Sequence, residues 1–93
     1  MTQIDNQRIT TLFGEFIRRN RKKQHISQKE FADKLNLTQS YISHIERGKR
    51  EVDFPTALMI CATLDVDLNE FIVSLKRTPP KVIRPKDRKT PTE

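Results

Sequence analysis

The sequence predicts an all-α protein, with one small domain of five helices over residues 1–76 followed by a basic tail over residues 77–93. Three observations carry this. Apolar residues recur at three- and four-residue spacing through the first 76 positions. Side chains that cap helices stand just ahead of these apolar runs. The tail, in contrast, holds four of the five prolines and only two aliphatic residues, Val82 and Ile83. It cannot bury enough surface to offset the cost of ordering and is expected to be mobile.

The first helix is expected to begin after Asp5, a good N-cap, with Thr10 or Thr11 as later alternative starts. Ile9, Leu12, Phe13, Phe16 and Ile17 then form one buried face. Gly14 interrupts the run at a cost of roughly 1 kcal/mol relative to alanine, so it marks either close packing or a weak stretch of helix. One turn further on the apolar stripe reaches Arg21, where a partly buried charge needs a partner.

Ser27 opens the second helix with a capping box, Ser27-x-x-Glu30, and Ile26 and Phe31 stand at the positions of a hydrophobic staple. Phe31 and Leu35 continue the apolar face, and Ala32 is small enough for another helix to approach. Asn36 can take the left-handed conformation that ends a helix, and Leu37 pins the turn to the core. The third helix runs from its cap at Thr38 to Gly48, which suits the position just past a helix end. Ile42 and Ile45 point inward. Ser40, Ser43, His44 and Arg47 point outward, with Gln39 at the edge of that face. Short hydrogen-bonding groups and an arginine are suited to reading base edges, although an ordinary solvated face has the same composition. Glu46 follows Ile42 by four residues and so shares the inward face. An Arg21–Glu46 ion pair would answer both buried charges and fix the angle of the third helix; two separately solvated charges are the alternative.

The run Ser27-Gln28-x-x-Phe31-Ala32-x-x-Leu35-x-Leu37-x-x-x-Tyr41-Ile42-Ser43-x-Ile45-Glu46-Arg47-Gly48 closely resembles the helix-turn-helix of the Cro/C1 repressor family, also called the XRE family. The resemblance extends more loosely from about Leu12 to Ile72. It implies a lambda-repressor-like DNA-binding fold with its helix-turn-helix at 27–47, and the same Arg21–Glu46 pairing. Two positions depart from the family pattern: Asn36 replaces the usual turn glycine, and Val52 stands where proline is common.

Past the basic, polar loop KREVD, a fourth helix is expected from an Asp53 cap with Pro55 in its first turn. Phe54, Ala57, Leu58, Cys61 and Leu64 are its expected buried face, with Met59 and Ile60 partly off it. Cys61 reads as a small core residue rather than a reactive thiol. Asp67-x-x-Glu70 then opens a fifth helix as a second capping box, with Leu68, Phe71, Ile72 and Leu75 as its apolar stripe and Val73 outside it. Surplus apolar residues on the last two helices suggest a self-association surface, or else singly exposed side chains.

The net charge is +6, of which residues 77–93 carry +4. This favours a polyanionic partner without specifying one. Arg18, Arg19, Arg21, Lys22 and Lys23 cluster at the end of the first helix, and Lys49 and Arg50 follow the third. Both clusters could flank a groove-facing helix and contact phosphates. The single cysteine excludes an internal disulfide, no Cys/His cluster has zinc-ligand spacing, and no cofactor is expected. The first ten residues lack the apolar run of a signal peptide and no stretch approaches a membrane span, so a cytoplasmic protein is expected.

These features point to a sequence-specific double-stranded-DNA-binding regulator, a repressor, that places residues 38–47 in the major groove. Gln39 leads the expected base contacts, because its amide can pair bidentately with adenine. Thr38, Ser40, Ser43 and His44 follow. Arg18, Arg47, Lys49 and Arg50 are the expected phosphate contacts, with a base or minor-groove contact as the alternative for Arg47. Gln28 matches a family position that touches phosphate and braces the first residue of the recognition helix. A module this small buries too little DNA surface alone, so a homodimer on a palindromic operator is expected, joined through helix 5, alone or together with the tail. The resemblance fits a phage-type repressor, a restriction-modification controller or an antitoxin that represses its own promoter. The alternative function is a protein-interaction module, such as an antitoxin whose tail binds a partner protein. An enzyme is not expected, since no carboxylate pair, phosphate loop or nucleophile constellation accompanies His25 or His44.

Overall fold

The computed structural model describes residues 5–77, all five expected helices among them. The tail from residue 78 on, and its expected mobility, lies outside these residues. The helices are α1 (Asn6–Lys23), α2 (Gln28–Leu35), α3 (Gln39–Glu46), α4 (Phe54–Leu64) and α5 (Leu68–Arg77). α1 is the spine against which α3, α4 and α5 pack, while α2 contacts α3 and α4.

Each helix starts where a capping side chain is available. Asp5, Thr38 and Asp53 accept the N–H groups of Arg8, Tyr41 and Thr56, as their positions in the sequence suggested. At Ser27 both halves of the capping box form: Ser27 Oγ accepts from the Glu30 N–H at 3.0 Å, and Glu30 Oε1 accepts from the Ser27 N–H at 2.9 Å. Asp67 behaves differently from the capping box expected there. Its Oδ1 accepts from the N–H of Asn69 at 2.9 Å, not from that of Glu70.

The helix ends share one device. After α1, α2, α3 and α4 a single residue enters the left-handed region: His25, Asn36, Gly48 and Asp65, with φ of 58°, 59°, 73° and 58°. In each case the next residue reaches back five positions to a helix carbonyl, as in Leu37 N–H to Ala32 O at 2.9 Å and Lys49 N–H to His44 O at 2.8 Å. This is the Schellman arrangement, which satisfies carbonyls that the helix leaves open. Only one of the four residues is glycine.

Phe13, Phe16, Ile17, Phe31, Ala32, Ile42, Ile45, Ile60, Cys61, Leu64 and Phe71 make up the core. Within it the ring of Phe71 lies 5.2 Å from Phe13 and 5.4 Å from Phe16, so one aromatic cluster clamps α5 to α1. Gln24 Nε2 donates to Leu64 O at 2.6 Å and ties the end of α1 to the end of α4. Val52, the departure from proline, is half-buried and packs against the core.

The inward face of α4 differs from the one expected. Ile60 is fully buried, whereas Phe54 and Leu58 are 66% and 43% exposed. α4 is apolar at most of its positions, so its own pattern does not fix its rotation; packing on α1 and α2 does. Ile72 of α5 is likewise 43% exposed, although its position in the stripe predicted burial, and Val73 is half-buried. At the far end of α1, Ile9 is also exposed, on the rim of an apolar cleft of about 320 Å³ that Phe13, Phe54, Leu68 and Phe71 help to line.

Gly14 marks close packing. A Cβ there would overlap the carbonyl oxygen of Ile45 and lie 2.9 Å from that of Glu46, both fixed backbone atoms. Gly14→Ala should therefore lower stability by about 1–3 kcal/mol through overpacking, despite the better helix propensity of alanine. Urea denaturation checks this; an unchanged or higher midpoint would mean that α3 can move off α1.

Candidate nucleic-acid interface

Residues that point inward from α3 decide how its outer face is presented. Ile42 and Ile45 are fully buried, and Glu46 beside them is buried as well. Its carboxylate meets Arg21 from α1: Nε donates to Oε2 at 2.6 Å and Nη2 to Oε1 at 2.9 Å, a bidentate pair. Arg21 Nη1 donates to Ile26 O at 2.8 Å, which holds the α1–α2 turn. Gln28 Nε2 adds a fourth bond, to Glu46 Oε1 at 3.0 Å, and draws α2 into the network. It thus braces the last residue of α3 rather than the first, which the resemblance implied, because the buried carboxylate has an acceptor to fill. The hydrogen bonds to Glu46 raise the Arg21 pKa above its usual value; burial opposes the shift and Glu46's charge adds to it. The pair expected from the phase of two apolar stripes is thus present, buried and joined to three helices.

With α3 fixed in this way, Thr38, Gln39, Ser40, His44 and Arg47 are all exposed. None of the side chains of Gln39, Ser40, Ser43 and His44 hydrogen-bonds to another described residue. Their donors and acceptors stay free for a ligand. Ser43 is half-buried and sits lower, at the mouth of an open, polar cleft of about 770 Å³. Thr11, Glu15, Arg18, Arg19 and Lys22 from α1, Gln28 from α2, Ser43 from α3 and Arg47 at its C-cap line this cleft. Four cations from two helices that are distant in sequence therefore converge beside the α3 face. Glu46 also borders the cleft, but Arg21 neutralises it. Glu15, exposed and without an ion-pair partner among the described residues, is the remaining carboxylate, so the cleft sets four cations against one free carboxylate.

Lys49 and Arg50 lie elsewhere. Gly48 reverses the chain after α3, Lys49 is exposed just past the turn, and the Arg50 guanidinium stacks 5.0 Å from the centroid of the Tyr41 ring. Gln7 Nε2 donates to Gly48 O at 3.3 Å, so the start of α1 steadies this turn. Among the site residues named from sequence, Arg18, Gln28, Ser43 and Arg47 come together in the cleft, Thr38, Gln39, Ser40 and His44 form the exposed face, and Lys49 and Arg50 flank it. Arg19 and Lys22 were noted as part of a basic cluster but not as site residues. The spacing of Arg18 and Lys22, four apart and so on one helical face, was the available signal. Tyr41 under Arg50 had no such signal, because the contact closes across a turn.

The helix-turn-helix family model matches residues 17–71. The chain belongs to this family, in its Cro/C1 branch. Among relatives, the control protein C.MunI of a Mycoplasma species is 35% identical over 66 residues, covering 70% of this chain and 89% of that protein. An uncharacterised HTH-type transcriptional regulator of Bacillus subtilis, YqaE, is 36% identical over 61 residues, and the chain spans 53% of that protein's length. Among solved structures, the restriction-modification controller C.AhdI of Aeromonas hydrophila matches with a TM-score of 0.67 and 29% identity over 73% of this chain and 99% of that one. The controller C.Esp1396I, solved as a tetramer with its natural 35 base-pair operator, matches with a TM-score of 0.65 and 28% identity, covering 74% of this chain and 91% of that one.

Among the described residues no group of three or more His, Cys, Asp and Glu could hold a metal ion, and no helix is long and apolar enough to cross a membrane. Cys61 is buried, and desolvation, helped by the charge of Asp67, pushes its thiol pKa up and keeps it protonated.

Two outcomes test this framework. Arg21→Ala or Glu46→Ala should cost about 3–5 kcal/mol, because either leaves a buried charge without its partner. A double replacement, Arg21→Met with Glu46→Leu, should recover most of that loss, and calorimetric melting of the three variants checks both statements. Acid is the second test. Hydrogen bonds from the Thr56 hydroxyl and N–H depress the Asp53 carboxyl below its usual range. A depressed folded-state pKa adds stability above the unfolded value, and that stability is lost as pH falls through the folded value. Asp53→Asn should therefore lose part of the acid sensitivity of α4 below about pH 4, which amide exchange in α4 can follow.

Proposed function

We propose that the protein is a sequence-specific, double-stranded-DNA-binding transcriptional repressor that reads the major groove with α3. The observation that carries this reading is the convergence of two features: an α3 face whose polar side chains are unengaged, and a cleft beside it lined by Arg18, Arg19, Lys22 and Arg47. Gln39, Ser40 and His44 contact base edges, with Thr38 offering its methyl to thymine and Ser43 reaching from lower on the helix. Gln28, Arg18 and Arg47 hold phosphates of one strand in the cleft, and Lys49 and Arg50, from the loop that follows α3, hold phosphates outside it. The family membership, and a relative solved on its operator, support the same reading. These groups bind and position; the reading assigns no catalysis and places the protein with its DNA in the cytoplasm.

The protein acts as a homodimer on a palindrome, with α3 of each copy entering the groove about 34 Å apart. Phe54, Leu58 and Met59 of α4 and Ile72 of α5 remain exposed after folding, and a second copy on this side would cover them.

Binding to DNA from the gene's own upstream region and to scrambled DNA of equal length, across a salt series, tests the function. Several-hundred-fold preference for the upstream site is expected; equal affinities would refute it. Gln39→Ala should relax preference at one base pair, a loss of about 1–3 kcal/mol in discrimination. Lys49→Ala should weaken all sequences alike and lower the slope of log affinity against log salt by about 0.9. Leu58→Asp with Ile72→Asp should shift sedimentation from dimer to monomer while leaving helicity intact.

A further inference from the structure

Arg50 stands four residues past the end of α3, in a loop where a long charged side chain would ordinarily sample many rotamers. Here its guanidinium carbon lies 5.0 Å from the centroid of the Tyr41 ring, within cation–π range. Tyr41 belongs to the first turn of α3, alongside Gln39 and Ser40, and it is half-buried, so the core fixes the ring itself. The path to this contact is fixed as well: Gly48 reverses the chain at φ 73°, and Lys49 N–H closes the turn on His44 O at 2.8 Å. Thr11 crowds Gly48 from α1, with its Cα 3.1 Å from where a Cβ would sit. An exposed cation is thereby carried back along α3 and laid beside the helix's starting turn.

We propose that Tyr41 is a positioning residue for DNA binding, whose ring holds Arg50 beside the first turn of α3 so that the guanidinium meets a phosphate there. This deepens the DNA-binding reading above and rests on it. Tyr41 acts through the face of its ring, and its hydroxyl is not required. Arg50 has five N–H donors, and stacking on a ring leaves those at its edge free to meet phosphate oxygens. Preorganisation of this kind raises affinity by removing the cost of immobilising the side chain at the moment of binding.

The test is a double-mutant cycle in the full-length protein, using Tyr41→Leu, Arg50→Ala and the pair, with Tyr41→Phe as the conservative variant. Operator binding is measured across a salt series, and each variant's melting temperature and sedimentation are checked. Tyr41 is the single tyrosine and the chain has no tryptophan, so its fluorescence also reports on the stacked guanidinium directly. Arg50→Ala should weaken operator binding, lower the salt slope by about 0.9 and alter the Tyr41 emission. Tyr41→Leu should weaken binding by about two- to fivefold, the worth of an exposed cation–π contact. The double variant should bind no worse than Arg50→Ala alone, and Tyr41→Phe should rescue the loss. Multiplying losses in the double variant would overturn the proposal, since Tyr41 would then act independently of Arg50. Equal losses in Tyr41→Phe and Tyr41→Leu would overturn it in favour of the hydroxyl. Operator binding by the wild-type chain that Arg50→Ala leaves untouched refutes this inference alone. Failure of the wild-type chain to prefer its operator refutes the DNA-binding reading together with it.

Discussion

The buried pair of Arg21 and Glu46 is the constraint on which the other parts of this fold depend. Two ions nearly removed from water are costly unless every donor and acceptor is engaged. Here the guanidinium gives two bonds to the carboxylate and one to the carbonyl of Ile26, and Gln28 supplies a further donor to Glu46. Apolar contacts could hold α1 against α3 over a range of rotations. A bidentate pair linked to two further groups tolerates far less, because a small rotation would leave a charge unpaired. The pair therefore contributes direction, and the core around Ile17, Ile42 and Ile45 contributes most of the cohesion. It also has an electrostatic consequence at the surface: Arg21 neutralises Glu46 at the edge of the basic cleft, which leaves Glu15 as the free carboxylate there.

Gly14 complements the pair at the same helix contact. One fixes the rotation of α3; the other sets how closely it lies, since α1 meets the carbonyl oxygens of Ile45 and Glu46 with no side chain between. Past this point the four left-handed helix ends keep each connection short, so the four links hold no more than seven residues each. Short connections leave the helices little freedom to rearrange, and the outer face of α3 is presented by a rigid frame.

Much of this was legible in the sequence because local chemistry and periodicity act within a few residues. The caps at Asp5, Ser27, Thr38 and Asp53 depend only on nearby N–H groups, and each formed as expected. The ion pair was legible for a different reason: Arg21 and Glu46 each broke an apolar stripe whose phase was clear. Where phase was unclear the reading failed. α4 is apolar nearly all round, so Ile60 and not Leu58 turned inward, and the choice came from α1 and α2. His25 and Asp65 took left-handed conformations without being glycine, the usual signal for such a position. The convergence of Arg18, Arg19, Lys22 and Arg47 and the stacking of Arg50 on Tyr41 are tertiary facts, which no single helix contains.

The free side chains on α3 carry a consequence for how such a protein changes over generations. Gln39, Ser40 and His44 take no part in the network that orients their helix, and replacing them costs the frame almost nothing. Drift at these positions can proceed without passing through an unfolded or misassembled ancestor. Under the proposed reading, in which these side chains contact bases, a duplicated copy can acquire a new target while keeping its architecture, and its descendants would still share Arg21, Gly14 and Glu46 after they had ceased to recognise the same sequence.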